Sequence, residues 1–192
     1  MAEKLFGQRK WKAARNEYDR FMKLYKDSRS VPYCQFKVAE CDQKSNLKHS
    51  AIKEFTKVVD FWPDSPDAPT AQYMIALCYW ETGDRGKAVA AWQSLLRGFP
   101  KSPLCIGALR HQADYYGRMN KTDEQVEKLE ELVSAYGRER GWERDWDAAW
   151  DTLYWHYCRA IEPVRSLAVA ERRLSSEEAL MDNGWRFRRV GQ

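Results

Sequence analysis

The sequence predicts an all-α solenoid of antiparallel helix pairs, on two observations. Packing positions recur every 37 residues along most of the chain, and each unit holds two hydrophobic runs of helical period. One column reads Ala2, Ala39, Ala76, Ala113, and a second Ala14, Ala51, Ala88, Gln125. The others read Tyr18, Phe55, Trp92, Leu129, then Phe21, Val58, Leu95, Leu132, then Tyr25, Trp62, Phe99, Tyr136. Pro63 and Pro100 follow two of those aromatics, and Ser28, Ser65 and Ser102 recur behind them.

The third unit justifies its elements most plainly. Pro69 to Thr82 carries Tyr73, Ile75, Ala76, Tyr79 and Trp80 at helical spacing. Gly83-Asp84 breaks it, glycine being suited to a left-handed helix end. Lys87 to Gly98 resumes the period with Ala88, Trp92, Leu95 and Leu96, and Phe99-Pro100 stops it, because proline cannot continue a helix interior. Ser65-Pro66 and Ser102-Pro103 read as openings of the next unit, serine as N-cap and proline in the first turn. Ala76 and Ala88 let the two helices of a pair approach closely, and Trp92 fills the gap to the neighbouring unit. A single pair cannot bury both its faces, so the units must stack.

These residues resemble the tetratricopeptide repeat: a small residue then an aromatic on helix A (Ala76, Tyr79), a glycine turn (Gly83), alanine then an aromatic on helix B (Ala88, Trp92) and a closing proline (Pro100). The resemblance covers residues 2–137 and implies a right-handed α-α superhelix. The family period is about 34 residues; the excess lies in linkers such as Trp62 to Pro69. A long linker of this kind is similar to the repeat domains of the bacterial Tol–Pal cell-division coordinator and of the outer-membrane β-barrel assembly lipoprotein. That resemblance suggests the cell envelope or periplasm, against a cytoplasmic alternative.

The chain divides into residues 1–137, about three and a half repeats with the first truncated, and 138–192, a Trp-rich helical cap. The second copy has Asp42 and Asn46 where the third has Tyr79 and Gly83, which predicts a looser turn. The first copy opens in mid-helix, so the chain reads as a fragment or as a protein with a shortened first repeat. Trp142, Trp146, Trp150, Tyr154 and Trp155 fall along one helix predicted from Trp142 to Ile161. At the 37-residue offset Trp150 replaces the small alanine, so this helix is expected to pack differently and cap the stack. Further helices are expected after Pro163 and from Ser175, ending at Asn183-Gly184.

Composition excludes several classes. The 192 residues are 44% hydrophobic and 14% aromatic, too apolar for a disordered chain. No run approaches a membrane span, and no signal peptide is expected in the opening residues, which says nothing of the native protein if the chain is a fragment. The net charge of +4 is too slight to suggest a nucleic-acid binder. Arg186, Arg188 and Arg189 read as a solvated tail or a contact for an acidic partner. The odd count of five cysteines, Cys34, Cys41, Cys78, Cys105 and Cys158, argues against a disulfide framework, and none has zinc-site spacing. His49, His111 and His156 stand apart from any nucleophile or phosphate loop, so neither catalysis, a metal nor a cofactor is expected.

The resemblance implies a concave groove lined by the A helices. The positions it assigns are Tyr33, Phe36, Glu40, Gln43 and Lys44 in the second copy, and Thr70, Tyr73, Leu77, Trp80 and Glu81 in the third. In the fourth they are Gly107, Arg110, Asp114, Gly117 and Arg118. Tyr33, Phe36, Tyr73 and Trp80 would form an exposed apolar set, and Arg110 and Arg118 could fork onto a carboxylate or neighbour Asp114. With Lys44, these form the expected partner-binding set. Phe36 and Tyr73 occupy places where a two-carboxylate clamp needs Lys and Asn, so capture of a chaperone tail is not expected. The expected partner is a protein or peptide, without nucleic acid and without membrane insertion. The alternative is a structural subunit docked in a larger complex through the Trp-rich end.

Overall fold

The computed structural model describes residues 1–136 and 144–153. Among them every regular element is an α-helix: α1 (Ala2–Gly7), α2 (Trp11–Leu24), α3 (Val31–Lys44), α4 (Lys48–Phe61), α5 (Ala68–Glu81), α6 (Arg85–Gly98), α7 (Leu104–Arg118), α8 (Thr122–Ala135) and α9 (residues 144–153). The expected helices past Pro163, and Trp142, Tyr154 and Trp155, lie outside the described residues.

Each helix packs on its neighbours in sequence, giving the solenoid the repeat predicts. Most members of the first four columns are its core, while the fifth is not, Tyr25 being 58% exposed and Trp62, Phe99 and Tyr136 half-buried. Ala14, Ala51, Ala88, Ala39, Ala76, Ala113, Phe55, Trp92, Val58, Leu95 and Leu132 are fully buried, and Tyr18 and Leu129 nearly so. Small residues here let backbones meet, and the aromatics fill the space between pairs.

The turn inside each pair places a left-handed residue at the same position four times. Arg9, Asn46, Gly83 and Asn120, spaced 37 apart, all take left-handed backbone, with φ of 59°, 62°, 90° and 56°. The second turn is therefore not looser. Asn46 adopts the conformation Gly83 adopts, since asparagine tolerates it better than most residues. Leu47 N–H closes the turn onto Asp42 C=O at 2.8 Å, as Lys121 N–H does onto Tyr116 C=O at 3.0 Å.

The linkers between pairs also repeat. The amides of Ser28, Ser65 and Ser102 donate to Tyr25, Trp62 and Phe99 carbonyls. The serines are not N-caps. Their hydroxyls accept from the amide two residues on, at Ser30, Asp67 and Leu104 (3.2–3.3 Å), and so shape the linker before the helix begins.

A repeated polar clip joins the helices of a pair. Gln35 Nε2 donates to Glu54 C=O (3.3 Å), and Gln72 Nε2, 37 residues on, to Ala91 C=O (2.8 Å). In the second unit the position of Tyr79 is held by a buried charge. Asp42 accepts from Arg15 Nε and from Ser50 Oγ, both at 2.7 Å, and Arg15 also grips Asp19.

The repeat slips at α9. Ala149 is fully buried, with Leu153, against Ile106, Leu109, Ala113, Leu129 and Leu132. The small residue expected at 150 is thus supplied one position earlier, 36 rather than 37 residues after Ala113. Trp150 itself stacks on Trp146, with ring centroids 5.8 Å apart. Trp146 Nε1–H donates to Tyr136 C=O at 3.0 Å, tying α9 to the end of α8.

Candidate functional site

The A helices α3, α5 and α7 contact one another in order. Gln43 Nε2 reaches Met74 Sδ at 3.8 Å, and Tyr73 and Trp80 both meet the His111 ring with centroids 6.3 Å apart. An aromatic cluster therefore bridges the third and fourth units. Its centre is His111, lying flat on Trp92 at 4.8 Å and 10°, with Trp80 tilted against Trp92 at 5.5 Å and Tyr115 edge-on to Trp80 at 6.3 Å. The fully buried Trp92 indole N–H finds no hydrogen-bond partner among the described residues. Arg85 covers Trp80 from the turn, its guanidinium 3.8 Å from the ring and bonded to the Trp80 carbonyl.

Electrostatics mark the same place. Burial lowers the His111 pKa below its ordinary value, although Asp114 and Asp145 pull the other way. Burial, with Asp145, lifts the Tyr73 hydroxyl to about 12. Both groups are therefore neutral near pH 7. Beside them Arg110 Nε pairs with Asp114 at 3.3 Å and its Nη1 donates to Asp145 C=O at 3.3 Å. The arginine thus ties the fourth unit to α9.

The expected site residues divide. Tyr73 and Trp80 are half-buried and lie together, with Arg110 and Asp114 adjoining. Lys44 and Arg118 are exposed. Tyr33 is 40% exposed, its hydroxyl donating to Glu3 at 2.9 Å. Burial, then that bond, raises it to about 12. The exposure expected of Phe36 is not found: the residue is 7% exposed, its ring 5.5 Å from Phe55 in the core. Gly117 also departs from the groove assignment. A Cβ there would stand 2.5 Å from Gln125 Nε2, so this position packs toward α8. Gly107 is buried.

Two features escaped the sequence reading. The stack of His111 on Trp92 joins residues with no shared spacing, so no pattern announced it. The Gln35 and Gln72 clips stand at the repeat offset and were legible as a further column. Cys34, Cys41, Cys78 and Cys105 are buried free thiols, and burial pushes all four pKa values up, Cys41 to about 12 and Cys78 to about 11. No group of three His, Cys, Asp or Glu side chains suited to a metal occurs among the described residues. Nor is any described helix long and apolar enough to cross a membrane.

A stack of antiparallel helix pairs with an aromatic and ionic cluster on its A helices is the architecture of a helical-repeat solenoid. The tetratricopeptide repeat family matches residues 70–102, which is the third unit. Three solved structures share the fold. One is MamA, 15% identical, with a TM-score of 0.56 over 79% of this chain and 84% of that one. Another is a Podosopora anserina putative kinesin light chain with nearly identical TPR-like repeats, 17% identical, with a TM-score of 0.57 over 97% and 94%. A point variant of that light chain gives 0.58 over 90% and 93%, also at 17% identity. No curated protein matches the chain. At these identities the likeness establishes a TPR-like solenoid and no more.

Proposed function

We propose that the chain is a non-catalytic protein–protein interaction scaffold that seats a partner segment on the inner face of α3, α5 and α7. The observation that carries this is the half-exposed cluster of Tyr73, Trp80, His111 and Tyr115, flanked by the Arg110–Asp114 pair. Rigid aromatics beside an oriented ion pair are what binding hot spots are made of. Tyr33, Lys44 and Arg118 extend the surface, and Phe36 supports it from below. The tetratricopeptide match supports the reading, since such repeats generally serve protein–protein contacts. The linker resemblance supports a role in bacterial cell-envelope assembly, with the periplasm or envelope as its setting and the cytoplasm as the alternative. The division into repeats to residue 137 and a Trp-rich cap beyond it belongs to the same reading.

A second reading makes the chain a structural subunit docked through its C-terminal Trp-rich region. The half-buried, stacked Trp146–Trp150 pair favours it. Cross-link mapping on complexes from native extract separates the two. Links from Lys44 and neighbouring lysines to one partner, lost in Tyr73→Ala/Trp80→Ala, support the groove. Links confined to the C-terminal region overturn it.

A further inference from the structure

The slight net charge hides a strong segregation. Along the exposed face of the B helices the 37-residue offset gives Asn16, Lys53, Ala90, Glu127 in one column and Arg20, Lys57, Ser94, Glu131 in another. The face thus runs from basic on α2 to acidic on α8. Residues 1–30 hold nine cations against four carboxylates, and Arg15 alone of those cations joins an ion pair among the described residues. Lys12, Arg20 and Lys23 share one face of α2 at helical spacing and are exposed; the exposed Arg9 precedes them in the turn, and the exposed Lys26 and Arg29 follow in the linker. The opposing carboxylates are Glu17 and Asp27, Asp19 being held by Arg15 and Glu3 by two tyrosines.

At the end of this stripe stand Leu24 and Tyr25, 64% and 58% exposed. The apolar face of α2 is spent on the core through Ala14 and Tyr18. Its charged face is an outward-curving rod about 21 Å long. The cations suit any polyanion, and the exposed Leu24 and Tyr25 give them an apolar end. A broad, flat, anionic surface with a shallow apolar layer uses both.

We propose that the outer face of α2, with Leu24 and Tyr25 at its end, docks on an anionic phospholipid bilayer. Lys12, Arg20 and Lys23 on the helix, with Arg9, Lys26 and Arg29 at its two ends, meet the headgroups, a cluster size that suffices for binding to acidic lipid. Leu24 and Tyr25 enter the headgroup–acyl boundary. The acidic α8 stands at the far end of the stack, so like-charge repulsion fixes the orientation. This surface is separate from the groove and does not depend on it.

The test is flotation of the full chain with phosphatidylcholine vesicles, with and without phosphatidylserine. Three proteins are compared: wild type, Lys12→Glu/Arg20→Glu/Lys23→Glu, and a charge-matched control, Lys87→Glu/Arg97→Glu/Lys101→Glu, whose sites are also exposed. Circular dichroism confirms that each is folded. Wild type should bind only the phosphatidylserine vesicles, more weakly as salt rises. The α2 variant should lose at least about 100-fold in affinity, the control less than about 3-fold, and Leu24→Ser/Tyr25→Ser should weaken binding with the charges intact. Failure of wild type to float, or equal loss in both charge variants, overturns the proposal. Binding of duplex DNA or polyglutamate through the same lysines without vesicle binding also overturns it, by giving the surface to a nucleic acid or an acidic protein.

Discussion

The His111 ring lies nearly parallel to Trp92, at 4.8 Å and 10°, and helps join helix A of the fourth unit to helix B of the third. It also sets a pH dependence. Burial holds the folded-state pKa below 6.5, so between the two values the unfolded chain binds a proton the folded chain does not. Stability from this site is complete above about pH 6.5 and declines as the pH falls toward the lower, folded value. Urea midpoints measured across that window should fall with pH for wild type. In His111→Phe, which keeps a ring on Trp92, that part of the slope should vanish; an unchanged slope would show that another group carries it.

The aromatic pair Tyr73 and Trp80 is half-buried, so its removal acts on both binding and packing. Tyr73→Ala/Trp80→Ala should remain helical with a lowered melting point, and should lose at least about tenfold in partner affinity. Arg110→Gln should weaken binding, with a smaller drop in melting point than the double variant because it loses the bond to Asp145 and the pair with Asp114. Complete unfolding of the double variant would make these residues core and remove the groove.

The turns test backbone strain. Arg9 stands at φ 59°, where a side chain is disfavoured, and Gly83 stands at φ 90°. Arg9→Gly should stabilise by roughly 0.5–1 kcal/mol and Gly83→Ala should destabilise by about 1 kcal/mol. Opposite signs in urea denaturation are the signature; like signs would mean the turns are not equivalent.

Asp42 is 1% exposed and satisfied by Arg15 and Ser50. Asp42→Ala leaves both donors without their acceptor and should cost about 2–3 kcal/mol, reduced from the fully buried case because Arg15 keeps some contact with water. Ser50→Ala should cost less than half as much, measured by chemical denaturation.

Ala88→Trp probes the register itself. Ala88 is fully buried where α5 and α6 meet, so an indole there should overpack the pair by at least about 3 kcal/mol. A normal melt would place the small column elsewhere.

The sequence alone determined the period, the helix pairs and most of the core. Helix packing imposes a fixed spacing on small and large residues, and the alanine and aromatic columns record it directly. Their burial follows, from Ala14 through Leu132. The left-handed turns were legible at Gly83, and not at Asn46 or Arg9, because a backbone angle leaves a clear trace only where glycine occupies it. The site was legible in part. A shared groove position nominated Tyr73, Trp80, Arg110 and Asp114, which the fold brings together. It also nominated Phe36, because periodicity states which residues line a helix face and not how far that face sinks beneath its neighbours.

Only the tertiary structure decided the rest. The stack of His111 on Trp92, the reach of Arg15 to Asp42 across 27 residues and the one-residue slip that puts Ala149 in place of Trp150 all depend on where separate helices meet. Such contacts are chosen by the shape of the space between helices. A repeat offset fixes that space on average, and each side chain then settles how it is filled.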